Sequence, residues 1–183
     1  MKNNIKNLVI SAMLLALGFV LPFLTGQIQE IGSMLLPLHI PVLICGFVCG
    51  PIYAAVVGAI LPVMRSIIFA MPPIYPVAVS MAFEMCVYGL IAGYVYQILP
   101  KKTINIYISL IISMIVGRLV YGAVMVIISG LSSTPYSFNI FITSVFFSGI
   151  PGIILQIVAI PPLIMILEKV EFINANKRTV TEH

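Results

Sequence analysis

The chain has 183 residues, of which 61% are hydrophobic and 8% are charged, and its nine Lys and Arg against five Asp and Glu give a formal charge of +4. A soluble domain carries about 25% charged residues, so this composition excludes one and predicts an integral membrane protein. Most of the bases lie near the chain ends and at 101–102 rather than in one basic patch, so no nucleic-acid partner is predicted and membrane lipid is the expected surrounding.

A helix of about 20 apolar residues crosses the hydrocarbon core of a bilayer, and shorter spans are tolerated when other helices surround them. The chain therefore predicts an all-α integral membrane protein with a single six-helix transmembrane domain over residues 1–170 and a short cytoplasmic tail at 171–183. The predicted helices lie near 5–24, 39–50, 52–69, 76–98, 103–130 and 138–168. The interruptions "SGIPG" and "IPP" in the last segment leave counts of five and seven spans open.

The first apolar run, 8–24, is longer than the hydrophobic region of a signal peptide, which has about 7–15 residues. No clear small-residue cleavage site follows it, so we expect it to remain in the protein as the first helix.

The positions of the basic residues predict the orientation of the helices, because cytoplasmic loops collect Lys and Arg. With six spans, the bases at the N-terminus, at 101–102 and at 169–178 all fall on one side of the membrane. The opposite loops, 25–38, 70–75 and 131–137, contain no Lys or Arg. Both termini are therefore predicted to be cytoplasmic.

Three fully charged side chains, Arg65, Glu84 and Arg118, lie inside the predicted helices. Each costs about 2.5–3.5 kcal/mol at a helix centre, so each should face the bundle interior and have a partner. Glu84 can pair with either arginine in a purely structural contact, which leaves the other arginine unexplained. We expect Arg65 to line or brace the outer wall of a ligand cavity. Arg118, which lies deeper, is expected to contact an anionic group of the ligand.

Further polar and aromatic side chains extend this candidate substrate site: His39, Tyr75, Tyr88, Tyr121, Asn139 and Gln156. His39 is equally well explained as a residue with only local hydrogen bonds. Gln156 needs partners, because an unsatisfied amide in hydrocarbon costs several kcal/mol. The 25–38 loop is long for a bundle connection and contains Gly26 and Gly32, so we expect it to act as a mobile lid.

Catalytic and metal-binding patterns are missing from the sequence. The three cysteines, Cys45, Cys49 and Cys86, lie in apolar runs with the spacing of neither a disulfide framework nor a metal site, and we interpret them as small core residues. No Walker-type glycine loop, Ser/His pair or paired carboxylate occurs, so an enzyme, a cofactor and a bound metal are not predicted.

The first helix carries Ala12 and Ala16 four residues apart, a spacing that lets another helix approach closely. Such pairs also arise by chance in membrane helices. The functional interpretation is a partner interface on this face.

These features resemble the substrate-binding S components of energy-coupling factor (ECF) transporters. The resemblance covers residues 8–169 and is carried by the A-x-x-x-A of the first helix, the long outer loop, the stretch "LPLHIPVLICGFVCGPIYAAVVGAILPVMRSIIFAMPPIYPVAVSMAFEMCVYGLIAGYVY", and the later "GRLVYGAV" and "SGIPGIILQIVAIP". It implies a six-helix protein of the cell membrane that binds a water-soluble vitamin or related micronutrient.

The same resemblance implies the partners of the protein. The S component hands its ligand to a transmembrane coupling protein and two cytoplasmic ATPase subunits, and its first helix packs on the coupling protein through the positions of Ala12 and Ala16. The 25–38 loop matches the lid over the ligand. In this family the S component is expected to topple in the bilayer and expose its site to the cytoplasm.

An autonomous, proton-coupled secondary transporter of a small organic solute is the alternative, with Glu84 as the coupling carboxylate. The short chain and the lack of an inverted repeat argue against it, although a dimer would compensate.

Overall fold

The computed structural model of the protein describes residues 2–25, 36–100, 102–131 and 150–169. Within these ranges the regular secondary structure is helical and contains no strand. The helices are α1 (Lys2–Val20), α2 (His39–Cys49), α3 (Pro51–Phe69), α4 (Val79–Ile98), α5 (Thr103–Leu131) and α6 (Ile150–Lys169). A 3-10 turn, Leu21–Thr25, extends α1, and the irregular helical segment Ile74–Ala78 leads into α4.

Five of these segments are long and apolar enough to cross a membrane: Asn4–Phe23, Pro51–Phe69, Ile74–Ile98, Thr103–Ile128 and Ile150–Lys169. The prediction of an all-helical, multi-pass membrane protein is therefore confirmed. The predicted second span is the shorter apolar helix α2, which has 11 residues. Positions 138–149 of the last predicted helix, most of the 25–38 loop and the 171–183 tail lie outside the described residues.

Helix α2 is short because it is a core element. All its residues except Ile40 are buried, and α1, α3, α4 and α6 all contact it. An apolar helix of 10–14 residues is too short to span hydrocarbon but well suited to burial among longer helices. Near its C-terminal end the ring of Phe47 meets that of Tyr96 edge to face, with centroids 5.1 Å apart.

A glycine turn separates α2 from α3. Gly50 has φ +98°, a conformation that L side chains rarely adopt, and its N–H donates to the carbonyl of Cys45 at 3.2 Å. Pro51 then begins α3, where its missing N–H and fixed φ are compatible with a helix start. The reversal lets two consecutive helices share one partner, α4.

Small residues hold α4 close to both α2 and α3. A Cβ on Gly58 of α3 would lie 2.3 Å from the carbonyl oxygen of Met85. A Cβ on Gly89 would lie 2.7 Å from the backbone of Ala54, and one on Gly46 would lie 2.9 Å from the carbonyl oxygen of Gly89. The backbones of these three helices therefore touch, as small residues allow in membrane proteins.

Helix α1 packs on α2 through a polar contact near its N-terminal end. Asn7 Nδ2 donates to the carbonyl of Cys49 at 3.3 Å, and Ser11 Oγ donates to the carbonyl of Asn7 at 2.7 Å. Ala12 and Ala16 lie on the other side of α1 and are exposed. These two alanines therefore do not belong to the bundle core.

The close approach of α3 and α4 predicts that Gly58→Ala destabilises the fold. The added Cβ meets backbone rather than a flexible side chain, so the helices must separate, at a cost of about 1–3 kcal/mol. The chain has no tryptophan, and its buried Cys45 and Cys49 suit a thiol-reactive fluorophore that reports unfolding on heating.

Gly130→Ala is the control for the same chemical change, because no described atom lies within 4 Å of a Cβ at Gly130 in α5. Helix propensity favours alanine by up to about 1 kcal/mol in a helix interior, so only the steric contact would make Gly58→Ala the less stable variant. Equal melting temperatures for the two variants would contradict the close contact.

Candidate functional site

Glu84 of α4 is the centre of a buried polar cluster. Its Oε1 lies 3.2 Å from Arg118 Nη1 of α5, and its Oε2 lies 3.5 Å from His39 Nε2 of α2. All three side chains are almost completely removed from solvent. One carboxylate thus joins three helices.

The position of this cluster follows from the neighbouring helices. His39 is the first residue of α2, and its ring meets the buried ring of Tyr88 edge to face at 5.1 Å between centroids. Tyr88 lies one turn after Glu84 on α4. Gly117, which precedes Arg118, leaves room for that ring, since a Cβ there would lie 2.5 Å from Tyr88 Cδ2.

Gln156 of α6 is linked to the start of α2 through a backbone carbonyl. The carbonyl of Leu36 accepts the N–H of His39 at 3.1 Å and the Nε2–H of Gln156 at 3.5 Å. Leu36 has φ +50°, so the chain turns sharply just before α2. The sequence analysis missed this residue, because a backbone acceptor carries no side-chain signal.

Several buried polar atoms of the cluster have no hydrogen-bond partner among the described residues. They are His39 Nδ1 and Nε2, Glu84 Oε1, Arg118 Nε and Nη2, and Gln156 Oε1. Arg118 and His39 lie within ion-pair distance of Glu84, but neither contact has the geometry of a hydrogen bond. The cluster therefore offers donors and acceptors that the described part of the protein leaves unused.

Arg65 of α3 has a different environment. Its Nη1 donates to the carbonyl of Phe19 at 2.9 Å, and its guanidinium carbon lies 5.6 and 5.1 Å from the ring centroids of Phe23 and Phe69. Phe19 is in the last turn of α1, where carbonyls lack helical partners and a cation is favourable. In the described ranges Arg65 forms no ion pair, and Glu84 pairs with Arg118.

The remaining predicted site residues lie outside this cluster or outside the described part of the chain. Tyr75 is 55% exposed, and its hydroxyl donates to the carbonyl of Ile128 at 3.2 Å. Tyr121 is partly buried on α5, one turn after Arg118. Asn139 lies outside the described residues. Within the described ranges, no three His, Cys, Asp or Glu side chains come together as a metal site.

The chain matches the family model of the ECF transporter, substrate-specific component, over residues 6–164. The protein belongs to this family. No curated protein and no solved structure matches the chain. As an ECF S component, it is a subunit that binds substrate rather than an enzyme, and its family implies coupling and ATPase partners. Its five long apolar helices make it a multi-pass membrane protein.

The Glu84–Arg118 contact predicts strong non-additivity in a double-mutant cycle on the S component. Glu84→Gln or Arg118→Met alone leaves an uncompensated buried charge and should cost about 3–5 kcal/mol. The double variant removes both charges and should be more stable than at least one single variant. Thermal unfolding of the four proteins measures the effect.

Arg65→Met is the matched control for this cycle, since Arg65 does not contact Glu84. Its effect should add to that of Glu84→Gln, as for independent sites. A cycle in which Arg65 couples to Glu84 as strongly as Arg118 does would contradict the assigned pair.

Proposed function

We propose that this S component captures a water-soluble vitamin or related micronutrient at the cluster around Glu84 and delivers it to an ATP-driven coupling module. The observation that carries the proposal is the set of buried polar atoms on His39, Arg118 and Gln156 that have no partner among the described residues of this substrate-binding subunit. Each buried donor or acceptor without a partner costs about 1–3 kcal/mol. A bound ligand that supplies the partners offsets this cost.

The side chains take distinct roles in this proposal. Arg118, His39 and Gln156 hydrogen-bond the ligand, and Glu84 holds Arg118 and His39 in place. Tyr88 forms an aromatic wall next to His39, in contact with its ring.

The other predicted residues keep supporting roles in the proposed site. Arg65 braces the bundle at the end of α1, and Tyr75 ties the start of α4 to α5 through its hydroxyl. Tyr121 and Asn139 remain predicted ligand contacts.

The proposed topology has six spans and an outward-facing site. It counts the short helix α2 as a span, because longer helices surround it. It places both termini in the cytoplasm. The support is the charge pattern, with the basic residues on one side and the three opposite loops free of Lys and Arg.

The exposed face of α1 is the proposed contact with the transmembrane coupling protein. Ala12 and Ala16 lie one turn apart on it, and Asn7 and Ser11 on the other face make the contacts with α2. Small side chains let a second helix approach closely. The two ATPase subunits would then supply the energy, since the sequence has no nucleotide-binding loop.

Replacing Ala12 and Ala16 together with Leu should abolish uptake while leaving the S component folded. The larger side chains project from an exposed face, so they disturb a partner helix and not the core. Recovery of the coupling protein with the tagged S component should fall at least tenfold, measured by quantitative mass spectrometry of the purified complex.

The control is the double change Ala123→Leu with Ala159→Leu, at two exposed alanines on α5 and α6. It adds the same apolar volume to faces without an assigned partner, so recovery of the coupling protein should be unchanged. Equal losses in both double variants would show that α1 is not the specific contact.

The proposed function itself is tested by purifying the tagged protein from its native membranes. Mass spectrometry should find a bound micronutrient and the subunits of the coupling module. Proteoliposomes should then accumulate that molecule only when the module and internal ATP are present. Concentrative uptake by the S component alone, driven by a proton gradient, would contradict the proposal and favour a secondary transporter.

A further inference from the structure

The formal charges of the site cancel. Arg118 faces the carboxylate of Glu84 at 3.2 Å, so the formal charges of this pair cancel. Pairing of Glu84 with Arg118 leaves Arg65 without an acidic partner, and Arg65 contacts the Phe19 carbonyl and two phenylalanine rings instead. An anionic ligand would therefore bring an uncompensated charge into a buried site.

The atoms that have no partner in the described part of the chain indicate the hydrogen-bonding pattern of the ligand. Arg118 Nη1 is directed to Glu84, and the unused Nε–H and Nη2–H are two donors of the same planar guanidinium. Gln156 uses its Nε2–H on the Leu36 carbonyl, which leaves Oε1 as an unused acceptor. The ligand must then offer acceptors to Arg118 and a donor to Gln156.

We propose that the site selects an uncharged amide- or imide-type group, in which carbonyl oxygens lie beside an N–H; this inference rests on the proposed function. One carbonyl oxygen accepts from Nε–H and Nη2–H of Arg118, and the adjacent N–H donates to Gln156 Oε1. An ionised carboxylate supplies the acceptors but has no donor for Gln156, and its charge lies near that of Glu84. The rings of Tyr88 and His39 pack edge to face beside Glu84, so the ligand group would meet aromatic as well as polar side chains.

Three probes on one ring separate charge from hydrogen bonding: uracil, 1,3-dimethyluracil and orotate. Uracil carries the uncharged imide, 1,3-dimethyluracil lacks any N–H, and orotate adds an ionised carboxylate. Binding of each to the purified S component, freed of ligand, is measured by thermal stabilisation over a concentration series. Uracil should bind about 2- to 13-fold more tightly than 1,3-dimethyluracil, the factor of one hydrogen bond between neutral groups. It should also bind more tightly than orotate, because the carboxylate of orotate brings a negative charge near that of Glu84.

Two variants link the preference to the named residues. Gln156→Met removes the acceptor and should bring uracil and 1,3-dimethyluracil to equal affinity. Glu84→Gln leaves the Arg118 charge uncompensated and should shift the preference toward orotate. Because Gln156→Met changes no charge, it keeps the proposal testable if Glu84→Gln does not fold.

Tighter binding of orotate than of uracil to the wild-type protein would overturn this proposal, as would binding of none of the three. Neither result would affect the proposed function, which depends on the coupling module and on uptake of the molecule bound in native membranes. Conversely, the protein could bind uracil more tightly than the other two probes and yet never associate with an ATPase. That result would support the proposed ligand class and contradict the transport role.

Discussion

The rest of this structure depends on a carboxylate buried in a bundle of apolar helices. Glu84 is 1% exposed, and a single ion removed from water costs several kcal/mol even after relaxation. Such a group needs partners, and its own helix does not supply them. Here the partners are His39 of α2 and Arg118 of α5. The glycines that bring α2, α3 and α4 into backbone contact let the short helix α2 reach this position. Electrostatics and close packing therefore specify the same arrangement.

The length of α2 determines the depth of the site. At its C-terminal end the carbonyl of Cys49 accepts from Asn7, so this end of α2 lies beside the start of α1. His39 is ten residues earlier, which at 1.5 Å per residue is about 15 Å, or half the thickness of the hydrocarbon core. A full-length span would carry its first residue to the opposite surface. The short helix instead carries a histidine to the middle of the bundle.

Much of this fold was predictable because apolar length and charge position are local properties of the sequence. The helices and the three intramembrane charges follow directly from them. The partner of Glu84 was not predictable, because the sequence pattern is compatible with an ion pair to either arginine. The rotation and tilt of the helices decide between the two. The Leu36 carbonyl was also beyond prediction, because its role depends on a turn just before α2. The topology and the remaining ligand contacts still rest on the sequence.

The two arginines show why a charge inside a membrane helix does not by itself mark a substrate site. Arg65 is as buried as Arg118, at 3% against 5% exposed. Arg65 obtains a carbonyl at the end of α1 and two aromatic rings, partners that suit a cation without any ligand. Arg118 faces Glu84 but keeps Nε and Nη2 without partners in the described part of the chain. Burial is common to both residues, so the donors of Arg118 that lack partners in the described ranges, rather than its charge, are the reason to propose it, and not Arg65, as a ligand contact.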